Sequence, residues 1–161
     1  MEPFSHCEKE QLPILTIDFP PFLAACSNYT LLTDSWRKIT GFGPSSNNGK
    51  YYCDQPRINQ GEPGIKEGWH RFSGAAGTYL PTEQLDTGAG AREVCGTSIV
   101  AWMQGSHPTL SDGPQPRDIC FEWNSGPCQF TVRILVQTCP DPERNGDTFY
   151  VYQVNVLKFF Q

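Results

Sequence analysis

The last third of the chain has the residue pattern of β-strands. Residues 119–123 and 129–137 are rich in aromatic and β-branched side chains, and a turn-forming segment at 124–127 separates them. This arrangement predicts a β-hairpin with a longer loop, and residues 148–157 predict a final strand. Shorter extended runs occupy residues 14–17, 51–53, 69–72, 78–80 and 98–103.

One segment has helical spacing. In residues 30–39 two leucines and a tryptophan fall on one face, and Gly41 follows as a stop. Glycine- and proline-bearing loops separate most of the other elements. The predicted fold is therefore all-β: a small, antiparallel, disulfide-stapled, β-sandwich-like domain with a short helical turn near residues 30–39.

The composition fits one domain of this class. The chain has 161 residues, with 15 glycines and 14 prolines for turns, and 10 phenylalanines, 6 tyrosines and 4 tryptophans for a core. We divide it into an N-terminal extension (residues 1–25), a cysteine-rich domain (26–157) and a C-terminal tail (158–161).

The net charge and the hydropathy of the chain limit the classes of partner and the cellular location that we expect. The net charge is −5 and no basic stripe occurs, which disfavours nucleic acid. The longest apolar stretch, residues 19–26, is too short and proline-rich to span a membrane. Residues 1–10 lack the features of a signal peptide, although the cysteines indicate secretion. Either the true start is missing, or the chain is a piece of a larger secreted protein, or the protein is cytosolic.

The seven cysteines do not have the spacing of a metal site. Zinc sites usually pair cysteines two to four residues apart, whereas the closest pair here, Cys120 and Cys128, has seven residues between. His6 beside Cys7 gives two neighbouring ligands, which do not make a site. The carboxylates of residues 141–147 are interpreted as a solvated turn rather than a calcium loop. We predict no metal and no cofactor.

The histidines give no catalytic constellation. His70 alternates with Trp69 and Arg71 on a predicted strand and is expected to face solvent, and His107 is expected to bond to loop backbone. No nucleophile elbow occurs, so we predict that the chain has no catalytic residues and is not an enzyme. A cleft holding His107 near a carboxylate and a serine would favour a hydrolase instead.

Several short segments follow one another in a distinctive order over residues 26–154. They are Cys26-Ser-Asn-Tyr29, Leu32-Thr-Asp-Ser-Trp36-Arg37, Cys53-Asp54, Gly68-Trp69-His-Arg71-Phe72, Cys95-Gly-Thr97, Gly105-Ser-His107-Pro108, Cys120-Phe-Glu-Trp123, Cys128 and Phe149-Tyr-Val-Tyr152. Together they resemble the eight-cysteine domain family of uromodulin, the pancreatic secretory granule glycoprotein and related liver proteins. Two family cysteines are absent, one within residues 82–85 and one beside Cys128. Loss of a single disulfide would remove both.

The resemblance implies a disulfide pairing. Sequence alone does not choose among the possible pairings, but the family pattern implies Cys26–Cys139, Cys120–Cys128 and Cys53–Cys95. Cys7 is left over. It can pair with a missing segment or another chain, or remain a thiol in the tail.

Relatives in this family carry N-glycans, and some act as soluble decoys for bacterial adhesins. This chain has one acceptor, Asn28 of the Asn28-Tyr29-Thr30 sequon. Two common family acceptors are replaced by Gln104 and Gln153. The decoy function therefore does not carry over.

The predicted function is that of an extracellular protein-interaction or adhesion module in a secreted or cell-surface glycoprotein. The partner is an unknown extracellular protein or glycan, and the oligomeric state is open. Tryptophans in the signature segments are expected in the core, with Trp102 as the exception. A binding surface is predicted around Trp69, Trp102 and His107. The alternatives are a carbohydrate-binding domain, a hydrolase and a truncated gene product.

Overall fold

The computed structural model describes residues 21–38, 65–84, 100–122, 128 and 130–155. The helices and strands in these ranges are α1 (Pro21–Ser27), β1 (Thr30–Leu32), β2 (Gly68–Phe72), β3 (Val100–Met103), β4 (Gln115–Glu122), β5 (Phe130–Pro140) and β6 (Thr148–Val154). Short 3-10 turns lie at Ser35–Arg37, Gly74–Ala76 and Leu110–Asp112. No helix within the described ranges has the length and apolar character that a membrane crossing needs.

The strands form one sheet in the order β1-β2-β6-β5-β4-β3. The predicted hairpin is β4–β5, in register from Gln115 opposite Val136 to Phe121 opposite Phe130. β6 returns beside β5 and pairs with β2 on its other edge. These contacts are antiparallel, and only β1 joins its neighbour in parallel within the described sheet. The all-β class is confirmed, although the described strands make a single sheet rather than two packed layers.

Each face of this sheet carries a cluster of buried residues. On the face that we call the tyrosine face, Met103, Ile119, Ile134, Val136 and Tyr152 form one cluster. On the opposite face, the disulfide face, Ala25, Cys139, Phe149 and Val151 form a second. Successive side chains of a strand point to opposite faces, so β6 supplies Tyr152 to one cluster and Val151 to the other. An aromatic strand such as β6 suits this double burial.

Two disulfides staple the described part of the chain. Cys26 of α1 is joined to Cys139 of β5 across 113 residues of sequence, and Cys120 of β4 is joined to Cys128 across 8. Both are pairings that the family pattern implies. The bridge at Cys139 holds α1 on the disulfide face, where Ala25 is fully buried.

The amino-terminal elements differ from the sequence-based prediction. The predicted helical turn is confined to Ser35–Arg37, because Thr30–Leu32 pairs with β2 as a strand. A helix was not predicted at Pro21–Ser27, which begins five residues before the predicted domain boundary. Proline is well tolerated at the first position of a helix, where its missing N–H costs no internal hydrogen bond.

Several predicted features lie outside the described residues. They include the Cys53–Cys95 bridge, Cys7, Trp123 and the Trp36 side chain, and the predicted strands at 14–17 and 51–53.

Candidate interaction surface

Two signature segments that are far apart in sequence meet on the tyrosine face. The imidazole of His107 stacks on the ring of Tyr150, with ring centroids 4.0 Å apart. Its Nε2 lies 2.8 Å from the phenol oxygen of Tyr152, and the edge of Tyr79 approaches it at 5.9 Å between centroids. Three tyrosines therefore surround one histidine, in what we call the His107 cluster.

The hydrogen bonds of this cluster favour a neutral imidazole. The backbone N–H of Leu80 donates to the Tyr152 oxygen at 3.0 Å, and the phenol O–H is then placed to donate to Nε2. We infer that the ring proton of His107 is on Nδ1. Burial, and secondarily the charge of Arg117, lowers the pKa of His107 to about 4. Burial also raises the pKa of Tyr152, so both groups are uncharged at neutral pH.

The His107 cluster anchors the root of the loop at residues 104–114. Thr138 of β5 donates its hydroxyl to the Pro108 carbonyl, and Arg117 Nε donates to the Ser106 carbonyl at 2.8 Å. Gly105 makes the turn out of β3 with a φ of 83°, which glycine adopts without steric cost. The root of the loop is therefore tied to the sheet by side chains on both sides of His107.

The tip of the same loop is exposed, and hydrogen bonds within the tip fix its conformation. Its 3-10 turn is closed by a capping box in which the Thr109 N–H donates to Asp112 Oδ2 at 2.7 Å. These hydrogen bonds from Thr109 lower the pKa of Asp112. Leu110 at the tip is 43% exposed, and Tyr79 beside the root is 61% exposed. The loop thus presents an apolar side chain from an ordered tip, with an exposed aromatic ring near its base.

The structure separates the three residues of the predicted binding surface. His107 is half-buried in its cluster on the tyrosine face. Trp69 is half-buried and packs against the opposite cluster, on the disulfide face. Trp102 is only 7% exposed, so the expectation that it is a surface tryptophan is wrong. It lies on β3 opposite Cys120 of β4, where its side chain joins the core.

The expectation that His70 faces solvent is also wrong. His70 is 1% exposed, and its Nδ1 lies 3.0 Å from the Gly68 carbonyl oxygen. It stands opposite Tyr152 on β6. Its neighbours Trp69 and Arg71 point to the other face, which is covered as well.

Arg71 organises a second cluster on the disulfide face. Its guanidinium carbon lies 3.7 Å from the centre of the Phe149 ring, and its nitrogens donate to Tyr29 Oη at 3.2 Å and to Asp141 Oδ2 at 3.3 Å. Asp141 also accepts the Glu143 N–H at 3.0 Å. The loop at 141–147 is thereby attached to the sheet. Within the described residues no group of three or more histidine, cysteine or acidic side chains has the arrangement of a metal site.

Tyr79, Tyr150 and Tyr152 contact His107 but were not among the residues that the sequence predicted for the site. The sequence indicated two of them in part, since Tyr150 and Tyr152 belong to the Phe149–Tyr152 segment of the family signature. Asn28, the predicted glycan acceptor, is exposed between α1 and β1.

Comparison with known proteins gives a consistent set of relatives. Residues 70–160 match the family model of the uromodulin-like domain. The dog pancreatic secretory granule membrane major glycoprotein GP2 is 30% identical over 129 residues, covering 80% of this chain and 20% of that protein. Mouse uromodulin is 30% identical over 129 residues, covering 80% of this chain and 16% of its own length. The human GP2 glycoprotein is 28% identical over 115 residues, or 71% of this chain and 18% of that protein. The chain spans a fifth or less of the length of these relatives.

Proposed function

Because this chain belongs to the family of uromodulin-like domains, we propose that it acts as a non-catalytic module that binds an extracellular protein. In this proposal the module is part of a secreted or cell-surface glycoprotein. The proposed domain runs from about residue 26 to residue 157, and we propose that α1 belongs to it as well, because burial of Ala25 supports this wider boundary. In the same proposal Cys53 and Cys95, as the family pattern implies, would form a third bridge, and Cys7 would pair with a missing segment or another chain or remain a thiol.

The observation that carries the proposal is the contrast between the root and the tip of the loop at 104–114. The root is fixed by the His107 cluster and by the hydrogen bonds to the Ser106 and Pro108 carbonyls. The tip exposes Leu110 on a capped 3-10 turn. Binding costs less when the contacting groups are already ordered. A loop held in this way, on a disulfide-bonded scaffold, is suited to recognition of a protein surface.

The chemistry of His107 argues against a hydrolase. A general base must be able to take a proton from substrate, whereas Nε2 of His107 is already hydrogen-bonded to the Tyr152 phenol and its ring face is covered by Tyr150. A carbohydrate-binding domain would be favoured by an exposed Trp69 or Trp102 beside polar loop residues. Trp102 is buried and Trp69 is packed on a core cluster.

The proposal is tested on the full chain, secreted from animal cells behind an added signal peptide. The purified protein is applied to a panel of immobilised extracellular domains and to a panel of immobilised glycans. A double variant, Tyr79→Ser with Leu110→Asp, alters the exposed groups at the loop without touching its hydrogen bonds. Leu31→Ser is the matched control, because Leu31 is also an exposed apolar residue, 53% accessible, on a different strand.

We expect binding to at least one protein domain that the double variant abolishes and the control retains. If the double variant and the Leu31→Ser control bound equally well, the loop would not be part of the binding site. Binding to glycans alone would replace the proposal with the carbohydrate-binding alternative. Failure of the chain to be secreted with oxidised cysteines would contradict the extracellular location.

A further inference from the structure

The sequon at Asn28 lies beside the end strand of the described sheet. Asn28 is exposed at the point where the chain leaves α1, and Thr30, the third residue of the sequon, is the first residue of β1. β1 stands at one end of the strand order, with β2 on its inner side. The acceptor asparagine and this edge of the sheet are therefore within a few residues of each other.

The backbone of β1 shows which groups face outward. The Ser73 N–H donates to the Leu32 carbonyl at 3.0 Å, so Leu32 directs its hydrogen-bonding groups toward β2. Alternate residues of a strand direct these groups to opposite sides. The N–H and C=O of Leu31 therefore point away from β2, and its side chain is 53% exposed. β1 is only three residues long, but it carries no charge and directs one N–H and one C=O outward, and an edge of this kind can pair with another strand unless it is covered or charged.

We propose that an N-linked glycan on Asn28 covers the β1 edge and prevents copies of the chain from pairing there. This inference rests on the proposed extracellular location. Asn28 and Leu31 are three residues apart, which is about 10 Å of extended chain. A branched oligosaccharide on Asn28 is bulky and hydrated, so it occupies the space that an added strand would need.

The order of synthesis keeps the acceptor available. Cys26 lies two residues before Asn28, but its partner Cys139 follows 113 residues after Cys26. The sequon therefore enters the secretory compartment before the bridge beside it can close. Transfer joins Asn28 Nδ2 to the anomeric carbon of an N-acetylglucosamine. The bond from that carbon to a lipid-linked pyrophosphate breaks, the lipid pyrophosphate leaves, and the amide gives up one proton.

The test compares two ways of removing the sequon with one conservative change that keeps it. Asn28→Gln and Thr30→Val both abolish the acceptor, and valine keeps the β-branched character of a strand residue. Thr30→Ser retains the sequon. All proteins are secreted from animal cells and carry Cys7→Ser, so that a disulfide between copies is not mistaken for strand pairing. Intact mass before and after enzymatic deglycosylation reports occupancy, and size-exclusion chromatography with light scattering reports the oligomeric state.

We expect the parent and Thr30→Ser to be glycosylated and monomeric, and the two sequon-free variants to self-associate as concentration rises. Adding Leu31→Lys to Asn28→Gln restores the monomer, because a charge on an edge strand opposes pairing. Enzymatic removal of the glycan from the folded parent gives the same association, which covers the case in which a variant folds poorly.

Two results would overturn the inference. One is a secreted, fully oxidised chain with unmodified Asn28. The other is a deglycosylated chain that stays monomeric at every concentration. Either leaves the proposed binding function standing, whereas a chain that is not secreted and oxidised contradicts both.

Discussion

His107 and Tyr152 are joined by a hydrogen bond of 2.8 Å between Nε2 and the phenol oxygen, although 45 residues separate them in sequence. The bond ties the loop at 104–114 to the last strand. Tyr152 in turn accepts the Leu80 N–H at 3.0 Å. A single phenol oxygen thus connects three segments of the chain, and it does so on a side chain that is 2% exposed.

Replacement of Tyr152 by phenylalanine tests this connection. The change removes one oxygen and leaves the Leu80 N–H and His107 Nε2 without that partner in a largely buried site. We expect a loss of about 1–3 kcal/mol in the free energy of unfolding, the usual cost of a buried polar group that loses its partner. Urea unfolding followed by tyrosine and tryptophan fluorescence measures it. Tyr150→Phe keeps the ring that stacks on His107 and is the control, with a smaller loss; equal losses would contradict the role of the Tyr152 hydroxyl.

The low pKa of His107 predicts a specific dependence of stability on pH. In the folded chain this pKa is about 4, against 6.5 for an unperturbed histidine. Between these values the unfolded chain binds a proton that the folded chain does not, so this group makes the folded state less stable as the pH falls. The contribution of His107 to the free energy of unfolding is fully present above pH 6.5 and is lost progressively as the pH falls to about 4.

The variant His107→Phe isolates this effect, because it keeps a ring against Tyr150 and removes the titrating group. We expect the variant to be less stable than the parent at about pH 7.5, and the difference to shrink at about pH 4.5. Denaturant midpoints of both proteins at the two pH values provide the comparison, and titration of other groups cancels in the difference. A difference that is the same at both pH values would mean that His107 does not titrate with a lowered pKa.

The strands near the carboxy terminus were predictable because their pattern is local. β4, β5 and β6 are rich in β-branched and aromatic residues, and the turn between β4 and β5 is marked by glycine and proline. The disulfides at Cys26 and Cys120 followed from the family pattern. They did not follow from spacing, which allows other pairings.

The faces of β2 were not predictable in the same way. Alternation distinguishes an inner from an outer face only when one face of the sheet meets water. Here His70 is buried on one face while Trp69 packs against a core cluster on the other. Thr30–Leu32 forms a strand rather than a helix because it pairs with a parallel strand about 40 residues away, and local helical spacing does not reveal that partner. The His107 cluster likewise joins three segments that no local pattern connects.

Arg71 is predicted to need its planar guanidinium rather than its charge alone. It stacks on Phe149 while donating to Tyr29 and Asp141, and lysine cannot reproduce this combination. We expect Arg71→Lys to cost about 1.5–3 kcal/mol, the range for hydrogen bonds to charged groups. Arg133→Lys is the matched control, because Arg133 pairs with Asp118 but its side chain is 71% exposed, and such a pair contributes about 0–1 kcal/mol. Chemical denaturation ranks the two variants, and a loss at Arg133 as large as that at Arg71 would contradict the argument.

The two disulfides are predicted to contribute unequally to stability. The Cys26–Cys139 bridge closes 113 residues and the Cys120–Cys128 bridge closes 8. Each bridge stabilises the folded state because it restricts the unfolded chain. The expected contribution to the free energy of unfolding is about 5 kcal/mol for the first bridge and about 2.5 kcal/mol for the second. Double variants avoid a stray thiol, so Cys26→Ala with Cys139→Ala is compared with Cys120→Ala with Cys128→Ala. We expect the first pair to lower the free energy of unfolding by about 2 kcal/mol more than the second. The same ranking should appear in hydrogen exchange, where loss of the first bridge exposes the α1 amides while β4 and β5 stay protected. If the shorter bridge proved the more costly to remove, its contribution would have to come from folded-state packing around Cys120 rather than from the length of chain that it closes.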